Sequence, residues 1–515
     1  MQEFSRISRS DDDYTYPLSQ PDRRTSRFLN LDLTIPLVFN SNANASSTAR
    51  KILLTEQKEI SRRSYLKYAG AAVGAAVVAA AGYGIYQMTA PPPKPSKVVV
   101  DLTLWAYDVP LVRGSADIIQ DVYKRDKGID LQVNITDVPY DAYKSSVVSR
   151  MQANTKTDVL YVEDNWMSIW DKAGWIVPIE DYKPEIRDYI PELVPAVREA
   201  MTLHGKLYGL PYYCDNIIFM YNKAHYDRAG IDEPPKTWDE LTQHCVQLKE
   251  KGVSDRPLGF AWKRGEWTFE DVLFSIVYSR GKKPIDEQGN LLVGSGSGLR
   301  DTLQWIADAA LKYAILDPKS VELVCENVQD ACKAEQYSYS ILPSYFIAAI
   351  NDPATSKVAG QMKIAMMPEQ ANTVGFMRMD SMSMMAVKAG KDQIDGAYAL
   401  IEMLGGKVDV DGDGKKEYYT AKQWLIKDGV PFGIQPLFQD PEIISAWSKF
   451  GVDVDALGQQ AAKSTFFEAK KYLWWEDWRP AFETEVHKLI AGQVSVDDAL
   501  KNVEAEWNKL KAEAS

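Results

Sequence analysis

From Val98 onward the hydrophobic and polar positions alternate between two periods. Val98–Trp105 is rich in β-branched residues, Ile118–Tyr123 has the spacing of an amphipathic helix, and Leu131, Val133 and Ile135 alternate with polar neighbours. Tyr140–Asn154 returns to helical spacing, and Asp158–Val162 is a short apolar strand. Strand and helix in alternation predict an α/β fold with a mainly parallel sheet covered by helices. Ligands of such sheets gather at the carboxyl ends of strands. The segments Trp105-Ala106-Tyr107-Asp108 and Glu163-Asp164-Asn165-Trp166 are therefore the first places to look for a site.

Upstream the pattern changes. Tyr68–Met88 is uncharged, rich in Ala and Gly, and close to the ~20 residues that span a bilayer as a helix. Before it, Ser61–Lys67 carries Arg62, Arg63, Leu66 and Lys67 and resembles a twin-arginine export signal, so residues 61–90 are expected to be a signal or membrane anchor. Basic residues flank only the N-terminal side, which disfavours a buried Ala-rich helix and places everything after Met88 outside the cytoplasm. No cysteine follows closely, which excludes a lipid-modified anchor, while cleavage and retention both stay open. Residues 91–97, with Pro91, Pro92, Pro93 and Pro95, predict an extended linker. Residues 1–60 lack an apolar period and are expected to be a disordered leader, either partly a mis-assigned start or a genuine cytoplasmic tail.

The 515 residues are too many for one core, so two ordinary domains plus terminal segments are expected. A net charge of −12 argues against nucleic acid as a partner. With 14 Trp and 27 Tyr the chain carries more aromatic surface chemistry than average. The four cysteines show no CxxC spacing, and four His build no zinc pattern.

Thr157–Tyr182 (TDVLYVEDNWMSIWDKAGWIVPIEDY) and Leu207–Leu241, with its GLPYY, MYNK and PPKTWDEL elements, are similar to segments of the family 1 extracellular solute-binding proteins of ABC importers, the group that includes the maltose-binding proteins. Lys357–Glu369 and Ile490–Trp507 agree, so the resemblance spans roughly residues 98–510. It implies a two-lobed, type II periplasmic-binding-protein-like fold around a central cleft, and a receptor that hands a sugar or oligosaccharide to a membrane permease. Crossings between lobes are implied near Cys214-Asp215-Asn216, Met377–Met382 and Gln435–Gln439. The N-lobe is then 98–213 with 383–437, and the C-lobe 217–376 with 440–512. Two capping boxes, Thr237 with Glu240 and Ser495 with Asp498, are folding signals only.

Cleft candidates follow from that layout: Trp105, Tyr107, Asp164, Asn165, Trp166, Asp215, Glu266, Trp267, Tyr345, Trp474, Trp475 and Trp478. A pyranose presents a C–H face that stacks on an aromatic ring and hydroxyls that both donate to and accept from carboxylates and amides. For each aromatic the alternative is core packing. Where many sugar-binding members have a Gly-rich stretch, this chain has Gly375–Met385, with Arg378, Asp380 and several methionines as a candidate lining.

Three further expectations complete the picture. Asp409, Asp411 and Asp413 with Gly414 resemble the start of a calcium loop, with Glu417 as a ninth-position ligand and Thr420 where the bidentate Glu belongs; structural calcium and a plain acidic turn are the two outcomes, and no other cofactor is expected. In an oxidising compartment Cys325 and Cys332 are the favoured disulfide, with Cys214 and Cys245 a weaker pair and buried thiols the alternative. No GxSxG, HExxH or phosphate-cradling loop is present, so an enzyme pairing Asp215 with Glu266 is the less favoured class, behind a receptor for a cation such as a polyamine.

Overall fold

The computed structural model describes residues 96–514. The leader, the twin-arginine-like motif, the candidate span Tyr68–Met88 and Pro91–Pro95 lie outside the described residues. Among the described residues no helix is long and apolar enough to cross a membrane.

Ten strands follow the chain: β1 Lys97–Leu104, β2 Asp130–Asp137, β3 Val159–Glu163, β4 Thr202–Leu203, β5 Lys206–Leu207, β6 Gly209–Asn222, β7 Tyr339–Pro343, β8 Met362–Ala365, β9 Thr373–Met382 and β10 Ser464–Phe466. Their order in the main sheet is β2-β1-β3-β9-β6-β7, with β8 also on β6 and β10 also on β9, while β4 and β5 form a separate hairpin. The predicted helix at Ile118 is longer than its periodic part. It spans Val109–Lys127, where the Asp108 carboxylate accepts from the Leu111 N–H and Gly128 closes the helix in the left-handed region. It returns the chain so that β1 and β2 pair in parallel, Lys97 opposite Asp130 through Leu104 opposite Asp137.

Parallel pairing holds for β1 with β2 and β3, and for β10 with β9. It fails where the two longest strands meet, because β6 and β9 run antiparallel to each other and β9 antiparallel to β3. Along β6, Gly209–Asn216 pairs with β9, whereas Ile217–Asn222 pairs with β7 and β8. One continuous strand thereby leaves one core and enters another. Gly375, opposite Asn216, has no room for a side chain, since a Cβ there would stand 2.5 Å from the Ala196 Cβ and 2.7 Å from the Asn216 Oδ1.

Two apolar clusters flank this change of partner. The first gathers β1–β3, Leu210, Tyr212 and Cys214 of β6, Met377, Met379 and Met382 of β9, and the helix Lys391–Gly405. The second gathers Ile217 and Phe219 of β6, Val374 and Phe376 of β9, and the helices Phe269–Ser279, Trp475–Ile490 and Val496–Ala514. Segments that the crossing scheme gave to the C-lobe, Cys325–Lys333, Pro441–Ser448 and Val454–Ala462, contribute to the first cluster.

The cysteine expectation changes here, and the acidic turn gains detail. Cys325 and Cys332 sit on one helix, Cys325–Lys333, where seven residues of rise separate their Cα atoms by ~10.5 Å. That exceeds the ~7 Å a disulfide tolerates. Cys214 and Cys245 belong to different clusters, and all four thiols are free and buried. In the acidic turn the Asp409 carboxylate accepts from the N–H groups of Gly412 (2.8 Å), Asp413 (3.2 Å) and Gly414 (3.1 Å) and lies 3.8 Å from Arg125. Asp413 pairs with Lys415, and the backbone of Glu417 bridges to Val408. The Asp409 carboxylate thus accepts from the amides of its own turn, and among the described residues no three acidic, His or Cys side chains converge.

Candidate functional site

Strand pleating sets the floor of the site. Glu163 lies opposite Arg378, Tyr213 opposite Arg378 and Asp215 opposite Phe376, so these side chains share one face of the β3-β9-β6 sheet at the change of partner. Arg378, only 8% exposed, donates from Nε to the Tyr161 hydroxyl at 3.2 Å and lies 3.5 Å from the Glu163 carboxylate. Its guanidinium is packed among three rings, Phe376 (4.8 Å), Trp267 (5.1 Å) and Tyr213 (5.6 Å). Half-buried Trp105, at the end of β1, makes ring contacts with Tyr107, Tyr140, Tyr161 and Tyr213.

Asp215 stands at the junction itself. One carboxylate oxygen accepts from the N–H groups of Asn216 (2.8 Å) and Ser344 (2.9 Å) and from the Ser344 hydroxyl. The other is buried without a hydrogen-bond partner among the described residues. Burial pushes the acid up to about 7, against the pull of the Ser344 hydrogen bonds and Arg378. Tyr345 follows Ser344 and stacks on Phe346, half-buried, within the electrostatic reach of Asp215 and Arg378. Glu266 is also pushed up to about 7 by burial, beside Cys325 and Thr268, and Trp267 next to it packs edge-on against Phe376.

Charged contacts tie the end of β3 to the second cluster. Asp164 accepts from the Met377 N–H (3.2 Å) and lies 3.5 Å from Lys470, which reaches Asp271 at 2.8 Å. Burial disfavours the charge on Lys470, but Asp164 and Asp271 outweigh it and raise its pKa. Asn165 donates to Glu476 at 2.9 Å, and Lys144 reaches the same carboxylate at 3.6 Å.

The candidates therefore separate into groups. Trp105, Tyr107, Asp215, Trp267, Tyr345 and Arg378 line one region, with Glu266 beside it, and Asp164 and Asn165 close its edge. Trp166, Trp474, Trp475 and Trp478 do not line it. Trp166 is 6% exposed and stacks on Tyr143, and Trp478 is fully buried, donating to the Val503 carbonyl and packing on Phe482 and Trp507. Trp474 stacks on Tyr472 and Trp475 packs on Phe467, so the Trp-rich segment builds the second core. Asp380 is fully buried with both oxygens lacking a partner among the described residues, and burial raises its pKa well above the carboxylate range. The methionines Met377, Met379 and Met382 are core and not lining. Glu163, Tyr161, Tyr213, Phe376, Lys470 and Glu476 were missed as side chains, although each lies in or beside a segment already singled out.

A family model described as bacterial extracellular solute-binding protein matches residues 109–409. The chain belongs to that family. Among this solute-binding protein's relatives are binding proteins of Brucella abortus, 22% identical over 275 residues that make up 53% of this chain and 64% of the relative, so the chain spans a little under two thirds of the length of those relatives. A mannitol-binding protein of Pseudomonas aeruginosa is 28% identical over 132 residues, 25% of this chain and 30% of that one. The solved structure of the sugar-binding protein MalE from Xanthomonas citri superposes with a TM-score of 0.66 at 17% identity, covering 81% of this chain and 98% of that one. That likeness shows the fold: this solute-binding protein has the type II periplasmic-binding-protein architecture.

Proposed function

We propose that this solute-binding protein is the extracytoplasmic receptor of an ABC importer and captures a neutral sugar or short oligosaccharide where β6 and β9 pass between the two cores. The observation that carries the proposal is convergence. Rings and carboxylates from β1, β6, β9, the turn before Phe269 and the turn after β7 meet on one sheet face, the combination that stacks on a pyranose and binds its hydroxyls. Relatives named for mannitol, maltotriose and sugar binding support the ligand class. The lobes are built on the two cores, the first on β1–β3 together with Cys325–Lys333, Pro441–Ser448 and Val454–Ala462, the second on the helices Phe269–Ser279, Trp475–Ile490 and Val496–Ala514, and Tyr68–Met88 tethers the receptor or is removed on export. A membrane permease receives the loaded form.

The cationic alternative meets a specific obstacle. The rings that could hold an amine already surround the protein's own Arg378. Calorimetry and thermal shift with maltose, maltotriose, glucose, mannitol, ribitol, putrescine and spermidine test the proposal, because ligand that binds only the folded form raises apparent stability. A neutral sugar or polyol that binds and is recovered unchanged is the expected result. Binding of the polyamines alone, or turnover of a sugar, overturns it.

A further inference from the structure

Arg378 has more donors than the polar side chains that meet it. A guanidinium carries five N–H donors in a planar fork, yet the polar groups that meet this one among the described residues are Tyr161, Tyr140 and Glu163. Glu163 approaches at Nε, 3.5 Å away, and among the described residues it is the carboxylate in ion-pair distance of this group. The faces of the group are covered by Tyr213, Trp267 and Phe376, so a partner can reach it only in the guanidinium plane.

Asp215 is an under-satisfied acceptor on the same sheet face. It lies diagonally across the β6–β9 pair from Arg378, since Tyr213 faces Arg378 and Asp215 faces Phe376. Diagonal neighbours of an antiparallel pair stand ~7–8 Å apart, a span that one sugar ring with hydroxyls on both edges can bridge. An orphaned acceptor and a guanidinium on one sheet face, each residue more than nine-tenths buried, favour a partner that both donates and accepts.

We infer that Arg378 is the specificity-determining residue of the site. Its Nη fork takes two adjacent hydroxyl oxygens of one ring, while a hydroxyl on the opposite edge donates to Asp215. The charge around the fork selects a neutral ring over an acidic one. Glu163 already pairs with the guanidinium and Asp164 lies within its field, so a uronate would bring a further negative charge beside two carboxylates. This inference rests on the sugar-receptor proposal and narrows it to neutral, vicinally hydroxylated solutes.

The experiment compares the full chain with Arg378→Lys and with the double variant Arg378→Gln/Glu163→Gln, which removes the ion pair as a unit so that no charge is left buried alone. Probes are glucose, galactose, maltose and mannitol, their uronate counterparts glucuronate and galacturonate, and 2-deoxyglucose, with affinity read by calorimetry. The wild type is expected to bind a neutral probe at least tenfold more tightly than its uronate. Both variants, folded by circular dichroism and thermal melting, should lose about tenfold to a hundredfold in affinity for that probe. Wild-type affinity in a folded double variant, or a preference of the wild type for a uronate, overturns the assignment of Arg378 while leaving the receptor standing. A wild type that binds no sugar or polyol removes the receptor proposal and this inference with it.

Discussion

At the scale of single residues, exposure separates the proposed ligand contacts from core. Trp267 and Trp105 are half-buried beside Arg378 and Tyr213, whereas Trp478 is enclosed by Phe482, Trp507 and the Val503 carbonyl. Trp267→Ala is expected to weaken sugar binding by roughly 2 kcal/mol with little change in the melting temperature of the ligand-free protein. Trp478→Ala should cost about 3–5 kcal/mol of stability and leave affinity per folded molecule unchanged. Calorimetry and denaturant unfolding on both variants read the two effects separately.

The buried acids make a second residue-scale prediction. Asp215 and Glu266 are pushed up to about 7, and Asp380 is raised by burial alone. Each holds its proton more tightly in the folded than in the unfolded chain, so its contribution is fully present below about pH 4 and is lost as pH rises through the folded value. Asp380→Asn cannot ionise. Its stability relative to wild type should therefore climb steadily from pH 5 to pH 8 in urea titrations, and a flat difference would falsify the placement of Asp380 as an unpaired buried acid.

At the scale of elements, capping signals in the sequence correspond to hydrogen bonds in the fold. The Thr237 hydroxyl accepts from the Glu240 N–H at 3.1 Å, and Ser495 does the same for Asp498. The return contacts differ from the simple box: Glu240 accepts from the Lys236 N–H, and Asp498 accepts from the Ser495 hydroxyl. Such caps depend on three or four consecutive residues and are legible in any sequence. The helix containing Cys325 and Cys332 was equally local, yet seven residues suggested a short loop where the chain forms two helical turns. Counting thiols with an alkylating agent in unfolding conditions without reductant should give four per chain. Strand β9 illustrates what spacing cannot reveal. Its alternation marks two faces, but only the pairing with β3 and β6 shows that Met379 enters the core while Arg378 faces the rings.

At the scale of the whole molecule, the buried Asp164–Lys470–Asp271 bridge joins the end of β3 to the helix Phe269–Ser279. Lys470→Met leaves two enclosed carboxylates without their cation and should cost about 3–5 kcal/mol. Replacing Asn165 by Ala removes the contact to Glu476 at the outer edge and should weaken sugar binding severalfold with almost no loss of stability. A two-lobed receptor whose ligand touches both sides is driven toward closure by that ligand. Small-angle scattering should accordingly show compaction with the best sugar for the wild type, and less of it for Asn165→Ala.

The sequence by itself determined the α/β class, the family, the caps and the segments from which the site is built, because these depend on local periodicity and on motifs a few residues long. Tertiary structure decided which members of those segments matter. Trp105 and Trp474 are the same residue type in similarly aromatic surroundings, and one lines the site while the other packs on Tyr472. Spacing made the Asp409 carboxylate a candidate calcium ligand, and only the fold shows that it accepts from backbone N–H groups of its own turn. Arg378 acquired its role only when strands more than two hundred residues apart were paired, since burial, ring contacts and the loss of water around its donors arise from neighbours that no local pattern specifies.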